Sequence, residues 1–369
     1  MEGHRFEAAD DDYSAYGVGD LASPHFMVDQ SRHETYAFLL YPMTPEFDGM
    51  SIPHMCYGHT IMMVRSYLIS GPKGRLMPRI GRFTSEEARA TFLRAYDTVA
   101  AKWPVPSTDI DVGTSFGTTR VRKSGNGDGA PIMLLPGIGG NGQIWLNFIE
   151  DLARERVVYT PDVIGWAGRC VQTAPVRDTA DIATWMVEVL DGLGEDRIHL
   201  AGNSLGAWLA GAIAVHRCDR LASLTIFEPS GATFAKPRWS LLFKFLVVGA
   251  RPTPERMRKF NKWLMPGLNF TDEEFALVMA TVKFRSGMPW DRPFTDEQLA
   301  AITAPSLVLF GADTVVSDPQ LGAARARNHM PSAEAEIYPG IGHDLLWANS
   351  EQIIPRFLDF VAHHDQIRA

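Results

Sequence analysis

The stretch RIHLAGNSLGAWLAGAIAVH, Arg197 to His216, decides how the rest of the chain is read. Ile198–Ala201 is a short run of strand type, and Leu205–His216 repeats apolar residues at helical spacing. Between them Gly202-Asn203-Ser204-Leu205-Gly206 matches G-x-S-x-G. The letters alone are a weak signal, because three fixed positions in five arise often by chance. The strand–turn–helix setting is what a nucleophile elbow requires. A sharp turn lifts the Ser204 hydroxyl clear of the sheet edge, and Gly202 and Gly206 keep side chains out of the crossing. The helix N-terminus adds positive potential beside a developing oxyanion. The competing reading is a structural Gly-rich turn, which the context disfavours.

On both sides the chain alternates between strand and helix. Strands are expected at Ile132–Leu135, Arg156–Thr160, Ile198–Ala201, Leu224–Phe227, Ser306–Phe310 and Glu336–Tyr338. Helices are expected at Ile144–Ala153, Thr179–Leu190, Leu205–His216 and Glu351–Ala362. Short buried strands separated by helices predict an α/β fold with a mostly parallel, doubly wound sheet. The stretch DIDVGTSFGTTRVRKSG reads as two strands around a Gly turn. Residues 232–302 break the rhythm with no expected strand and four helical stretches, Arg238–Val248, Thr253–Leu264, Thr271–Lys283 and Thr295–Ala301. That pattern predicts a helical lid inserted into a core formed by 109–231 and 303–369. Ahead of the core, Thr84 and Glu87 form a capping-box pattern. Ala88, Phe92, Tyr96, Val99 and Trp103 follow at helical spacing until Pro104, so a helix over 85–102 is expected to dock on the domain as part of segment 83–108.

A nucleophilic serine needs a base and the base needs an orienting acid. His343, in YPGIGHDLLWAN, lies on a loop after an expected strand and before the closing helix. That places it at the C-terminal edge of the sheet, in reach of Ser204. His199 and His216 read as structural, and His329, His363 and His364 as surface residues. Asp313 directly follows the strand SLVLFGAD and is the expected acid; Glu228, just after LTIFE, is its main rival. Asp318 and Asp344 read as solvated or capping residues. The loop LLPGIGGN, Leu134 to Asn141, follows the first strand of the series. Its glycines allow a tight turn that aims amides at a bound oxygen, so the Ile138 and Leu205 amides form the expected oxyanion hole, each donor worth roughly 3 kcal/mol in the transition state. A phosphate loop is the rival reading. GIGGNG has the letters of G-x-G-x-x-G, but the helix starts too late and no Walker lysine is present.

The chain has 369 residues, 46% hydrophobic and 21% charged, with net charge −8. With no basic stripe, that balance argues against nucleic-acid binding. The apolar runs 61–69 and 241–250 are interrupted by Arg65 and Lys244, and neither approaches a membrane span. The N-terminus lacks the apolar region of a secretory signal, which makes cytoplasmic localisation the expectation. Cys56, Cys170 and Cys218 are far apart and read as reduced thiols. No ligand-spaced cluster points to a metal, and the expected chemistry needs no cofactor. Eight of the 15 methionines fall within the first 77 residues, and only seven acidic or basic residues lie between Tyr13 and Pro72. Residues 1–82 therefore read as an N-terminal extension without helical or strand period. Two readings stay open for it: a true extension, or an upstream translation joined to a product that begins at Met77 or another early Met. Nothing in the sequence specifies an oligomeric state.

The order Ser204, Asp313, His343, with LPGIGG upstream and an insertion before the acid strand, resembles the α/β-hydrolase superfamily over about residues 109–365. PDVIGWAGRC, 161–170, resembles a D-x-x-G-x-G-x-S loop of that superfamily, with Arg169 in the usual neighbourhood. Pro136 replaces a frequent His of the oxyanion motif, and Ala207 stands where a third glycine is common. The resemblance implies acyl transfer to water. A serine at the elbow disfavours the dehalogenases and epoxide hydrolases, which use aspartate there. The expected substrate is a small to medium hydrophobic carboxylic ester, thioester or lactone. Most of the insertion's aromatics, Phe234, Trp239 and Phe275 among them, are expected to pack within the insertion's own core, and a minority of that set to line an apolar acyl pocket. GNSLG is also similar to the elbow of meta-cleavage C–C bond hydrolases, although Asp344 stands where their Trp follows the catalytic His. The same residues would serve a perhydrolase, and a non-catalytic ligand-binding member of the superfamily is open as well.

Overall fold

The computed structural model describes residues 79–231, 233–289 and 291–365, together with two short strands, β1 (Met27–Asp29) and β2 (Glu34–Tyr36), which pair antiparallel. The expectations for the rest of residues 1–78, Cys56 and Met77 included, lie outside the described residues. The hairpin and β3 (Arg82–Phe83) are strands the sequence reading did not place. Two or three residues show no alternation that a pattern could reveal.

The remaining strands are β4 (Ser107–Thr114), β5 (Gly117–Ser124), β6 (Ile132–Leu135), β7 (Val158–Pro161), β8 (Val171–Gln172), β9 (Ile198–Asn203), β10 (Leu221–Phe227), β11 (Phe284–Arg285), β12 (Ser306–Gly311) and β13 (Ala333–Tyr338). Nine of the described strands form one sheet in the order β13-β12-β10-β9-β6-β7-β5-β4, with β8 beside β5. From β13 to β7 every pairing is parallel; β4, β5 and β8 add an antiparallel flank. β6, β7, β9, β10 and β12 are buried along their whole length. That explains why they read as mostly apolar runs rather than alternating ones, with Thr160, His199, Ser223, Thr225 and Ser306 among their buried polar members.

Each face of the sheet carries its own apolar layer. On one face Trp185, Met186 and Val189 of helix Thr179–Leu193 and Trp208, Leu209 and Ile213 of helix Leu205–Arg217 pack on Met133, Leu200 and Leu224. On the other, Ile353, Phe357 and Phe360 of helix Ser350–His364 join Trp145, Phe148 and Ile149 over Leu134, Ala201 and Leu307. The expected doubly wound α/β sheet is therefore what the chain forms. A helix the sequence reading passed over, Pro319–His329, fills the crossover from β12 to β13, with Asp318 as its N-cap and Pro319 in its first turn. The expected helix at Ile144–Ala153 is instead a 3₁₀ turn, Gly142–Trp145, followed by the single turn Ile149–Leu152.

The connection from β10 to β12 carries four helices, Trp239–Ala250, Pro254–Leu264, Asp272–Thr281 and Asp296–Ala300, close to the expected stretches. It also carries β11, which pairs antiparallel with β3, so the insertion is not strand-free. The front helix is Glu86–Ala100, and its N-cap is Ser85 rather than the Thr84 of the capping-box pattern. Its buried Phe92, Tyr96 and Val99 pack on Leu277, Ala280 and Phe284 of the insertion and on Ala167. The helix thus leans on the insertion more than on the sheet.

Candidate active site

β9 ends at Asn203, paired with Phe227 at the end of β10. Ser204 then takes φ 54° and ψ −116°, and the helix starts at Leu205. The turn is pinned on both sides, since the Ser204 amide donates to the Phe227 carbonyl at 3.0 Å and the Ser230 amide donates to the Ser204 carbonyl at 3.1 Å. A β-carbon on Gly202 would lie 2.2 Å from the Gly206 oxygen, and one on Gly206 would lie 2.3 Å from the Pro136 oxygen. Glycine at both positions is thus a steric requirement of the crossing. Among the described non-glycine residues, only Ser204 and Glu228 (φ 43°) hold a positive φ. Such backbone costs of order 1–3 kcal/mol and persists where the surroundings enforce it.

Those two strained residues are joined through one imidazole. His343 Nε2 lies 2.9 Å from Ser204 Oγ, and His343 Nδ1 lies 2.9 Å from Glu228 Oε2. His343 and Glu228 are both buried, while Ser204 is partly exposed. The carboxylate is held from behind by the Gly311 amide, which donates to Glu228 Oε1, while the Glu228 amide donates to the Leu309 carbonyl at 2.9 Å. The imidazole can carry a proton at Nδ1 toward the carboxylate and present Nε2 to the hydroxyl.

The geometry corrects the expectation for the acid. The structure brings Ser204 and His343 together, but the carboxylate on His343 is Glu228, not Asp313. β12 stops at Gly311, and the chain then turns so that the Ala312 amide donates to the Tyr338 carbonyl and the Asp313 amide to the Ile341 carbonyl. That turn leaves the Asp313 side chain exposed. Glu228, one residue past β10, is turned inward by its positive φ and gains the Gly311 amide as a second donor.

Of the expected oxyanion residues, Leu205 is the first helical residue, whose amide has no partner within its helix. Ile138 lies in the loop after β6, with its side chain 39% exposed. That loop is closed by a Gly140 amide to Gly137 carbonyl bond of 3.0 Å, and a β-carbon on Gly137 would lie 3.3 Å from Ser204 Cβ. The loop is thus laid against the elbow. Asp162, in the PDVIGWAGRC segment, is fully buried and accepts from the Arg169 amide (2.7 Å), the Gly142 amide (3.0 Å) and the Tyr96 hydroxyl (3.4 Å). Burial pushes its carboxyl above the usual range, with the amide bonds opposing. It anchors the front helix, the Gly142 turn and its own loop to one another.

Of the two readings for Asp344, solvated or capping, the structure bears out the second: it is the N-cap residue of the short helix Leu345–Ala348. It is buried, and its Oδ2 accepts from the Gly267 amide of the insertion, which fastens the His343 loop to that segment. Trp208, one turn into the elbow helix, donates to the Arg292 carbonyl at 2.9 Å and stacks on Phe294 at 6.0 Å. His199 is structural, bonded to Ser223 Oγ at 2.7 Å and to Asp365 Oδ1 at 3.1 Å. Cys170 and Cys218 are free thiols, and burial pushes the Cys170 thiol well up from its ordinary value.

A buried carboxylate, an imidazole and a serine on a strained strand-to-helix turn define a class of enzyme as well as a fold. Residues 132–356 match the profile of the Alpha/beta hydrolase family, and the chain belongs to that family. Within it the chain is a carboxylesterase-like hydrolase. It is 27% identical to the carboxylesterase YbfK of Bacillus subtilis over 291 residues, which is 76% of this chain and 96% of that one. The crystal structure of naproxen esterase (carboxylesterase NP), also from Bacillus subtilis, superposes with a TM-score of 0.68 at 26% identity, covering 73% of this chain and 97% of the other. A 2-hydroxy-6-oxononadienedioate/2-hydroxy-6-oxononatrienedioate hydrolase of Pseudomonas putida is 27% identical over 263 residues, 64% of this chain and 90% of that one.

Proposed function

We propose that the protein hydrolyses a small to medium hydrophobic carboxylic ester through an acyl-enzyme on Ser204. The observation that carries this reading is the unbroken hydrogen-bond chain from Ser204 Oγ through His343 to Glu228, with 2.9 Å at each link. Ser204 Oγ attacks the ester carbonyl while His343 Nε2 takes its proton. The C–O bond to the alcohol then breaks, and His343 returns the proton to the departing alkoxide. Water repeats the sequence in reverse on the acyl-enzyme and releases the acid. Glu228 holds the Nδ1–H tautomer and stabilises the transient imidazolium. The Leu205 and Ile138 amides receive the oxyanion; the elbow turn and the tight Gly137–Gly140 loop support that assignment.

The insertion acts as the lid of this site. Its Gly267 amide bonds Asp344 beside the base, and its Thr281 Oγ1 would lie 3.7 Å from a β-carbon on Gly139 of the oxyanion loop. The similarity to carboxylesterases supports an ester, while the similarity to the 2-hydroxy-6-oxononadienedioate hydrolase keeps C–C bond hydrolysis on the same residues as the second reading. Covalent labelling with a fluorophosphonate, located by mass spectrometry, tests the nucleophile: the label is expected on Ser204 alone, and a label elsewhere overturns the mechanism. Turnover of p-nitrophenyl esters above that of a vinylogous diketone, lost in Ser204→Ala, is the expected result; the reverse preference selects the second reading.

A further inference from the structure

The helix Trp239–Ala250 opens the insertion and is unusual in what it shows to solvent. Trp239 is 73% exposed, Phe243 66% and Val247 42%. At 100° per residue these three fall within an arc of roughly 80° on one side of the helix. Leu241, Phe245 and Val248, which pack against Phe260, Leu264 and Val316, fall on the opposite side. The helix therefore buries one apolar face and exposes a second.

The exposed stripe has a charged frame. Between positions 236 and 262 there are eight Lys or Arg residues and a single acid, Glu255, in a chain whose net charge is −8. Glu255 is taken by Lys259 at 2.7 Å. Lys236, Arg251 and Arg256 are exposed and stand in no ion pair within 4.0 Å among the described residues, with Glu255 acting on Arg256 only at longer range. The Lys244 ammonium lies over the Trp263 ring, 4.6 Å from its centroid.

We propose that the first two helices of the insertion, Trp239–Ala250 and Pro254–Leu264, form a docking face for an anionic lipid surface. Aromatic side chains on an exposed helix face and cations along its margin are the two elements that hold a helix in the plane of a headgroup layer. The charge complementarity selects this occupant over a second copy of the chain. A two-fold contact through the stripe would set the cations of one copy against those of the other. Three side chains on one helix also cover far less than the roughly 1,200 Å² of a stable interface. The contact is peripheral, since no described helix is long and apolar enough to cross a membrane. The binding itself does not depend on the reaction assigned above.

Co-sedimentation of the full chain with phosphatidylcholine vesicles, with and without phosphatidylglycerol, tests the proposal. Binding is expected only with phosphatidylglycerol present, and is expected to weaken about tenfold or more at high salt. Trp239→Ser/Phe243→Ser and Arg251→Glu/Arg256→Glu should each reduce vesicle binding about tenfold or more, while hydrolysis of a soluble p-nitrophenyl ester stays unchanged. Sedimentation that ignores phosphatidylglycerol, or that both double variants leave intact, overturns the proposal. So does a dimer, seen by sedimentation velocity, that Trp239→Ser/Phe243→Ser turns into a monomer.

Discussion

Replacing Glu228 with Gln removes one negative charge while nearly preserving shape, and the structure sets the size of the expected loss. Two donors address the two carboxylate oxygens, His343 Nδ1 at Oε2 and the Gly311 amide at Oε1. A Gln side chain has one oxygen and one NH₂, so it can satisfy only one of them. If the oxygen keeps Gly311, the NH₂ faces His343 and drives the imidazole to the tautomer that cannot accept from Ser204. In either orientation the imidazolium formed in the transition state loses its counter-charge. At about 4 Å and an effective dielectric of about 20 that interaction is worth about 4 kcal/mol, a factor near 10³. The tautomer error adds to it, so kcat for a p-nitrophenyl ester is expected to fall between about 10³-fold and about 10⁴-fold. Asp313→Asn alters an exposed side chain and is expected to change kcat less than about threefold. Circular dichroism on both variants separates loss of chemistry from loss of fold. If Asp313→Asn falls as far as Glu228→Gln, or Glu228→Gln keeps a tenth of wild-type activity, the assignment of the acid is wrong.

Other perturbations have equally definite outcomes. Gly206→Ala forces a β-carbon to 2.3 Å from the Pro136 oxygen, a backbone atom that cannot step aside. Thermal unfolding should show a loss of about 3 kcal/mol or more, and wild-type stability would contradict the tight crossing. Phe92→Ala empties a fully buried site between the front helix and the insertion and is expected to cost roughly 3–5 kcal/mol; a denaturant melt within about 1 kcal/mol of wild type would mean the helix is only loosely attached. Burial holds His199 down to about 4 from an ordinary 6.5, with the Asp365 bond partly opposing. The folded state then binds fewer protons than the unfolded state between those values. The contribution is complete above pH 6.5 and is lost as pH falls toward 4, up to about 3 kcal/mol. Melting temperatures across that window should fall with acid, and fall less steeply in His199→Gln; parallel curves would refute the linkage.

What could be read in the sequence follows physical rules that differ by element. The elbow was legible because a motif, a strand and a helix agree over twenty consecutive residues, and the buried strands because they are mostly apolar on both faces. The acid was not, because two carboxylates follow two strands of the same sheet. Which one turns inward depends on a positive φ at Glu228, and no residue type announces that outside glycine and asparagine. One signal was present. Glu228 closes a strand whose every residue is apolar or small and is followed directly by Pro229, an odd position for a solvated charge. The helix Pro319–His329 had a start signal in Asp318-Pro319, but its buried face is Gly322, Ala323 and Ala326, too small to register as an apolar stripe. β8 and β11, at two residues each, are set by their partners and not by their own composition.

Placing the acid at the end of β10 has a consequence for how such a site can change. Nucleophile and acid now stand on adjacent, hydrogen-bonded strands, and the base reaches across to them from a single loop. The turn after β12 is left without chemical duty beyond its Gly311 amide, and its exposed Asp313 is free to vary in length and character. Val316 of that same turn packs under the helix that opens the insertion. Substitution there would tilt the cover of the site while leaving the reacting groups where they are. Under the proposed mechanism, selectivity and reactivity would be carried on separate pieces of backbone, so that one could drift under selection without disabling the other.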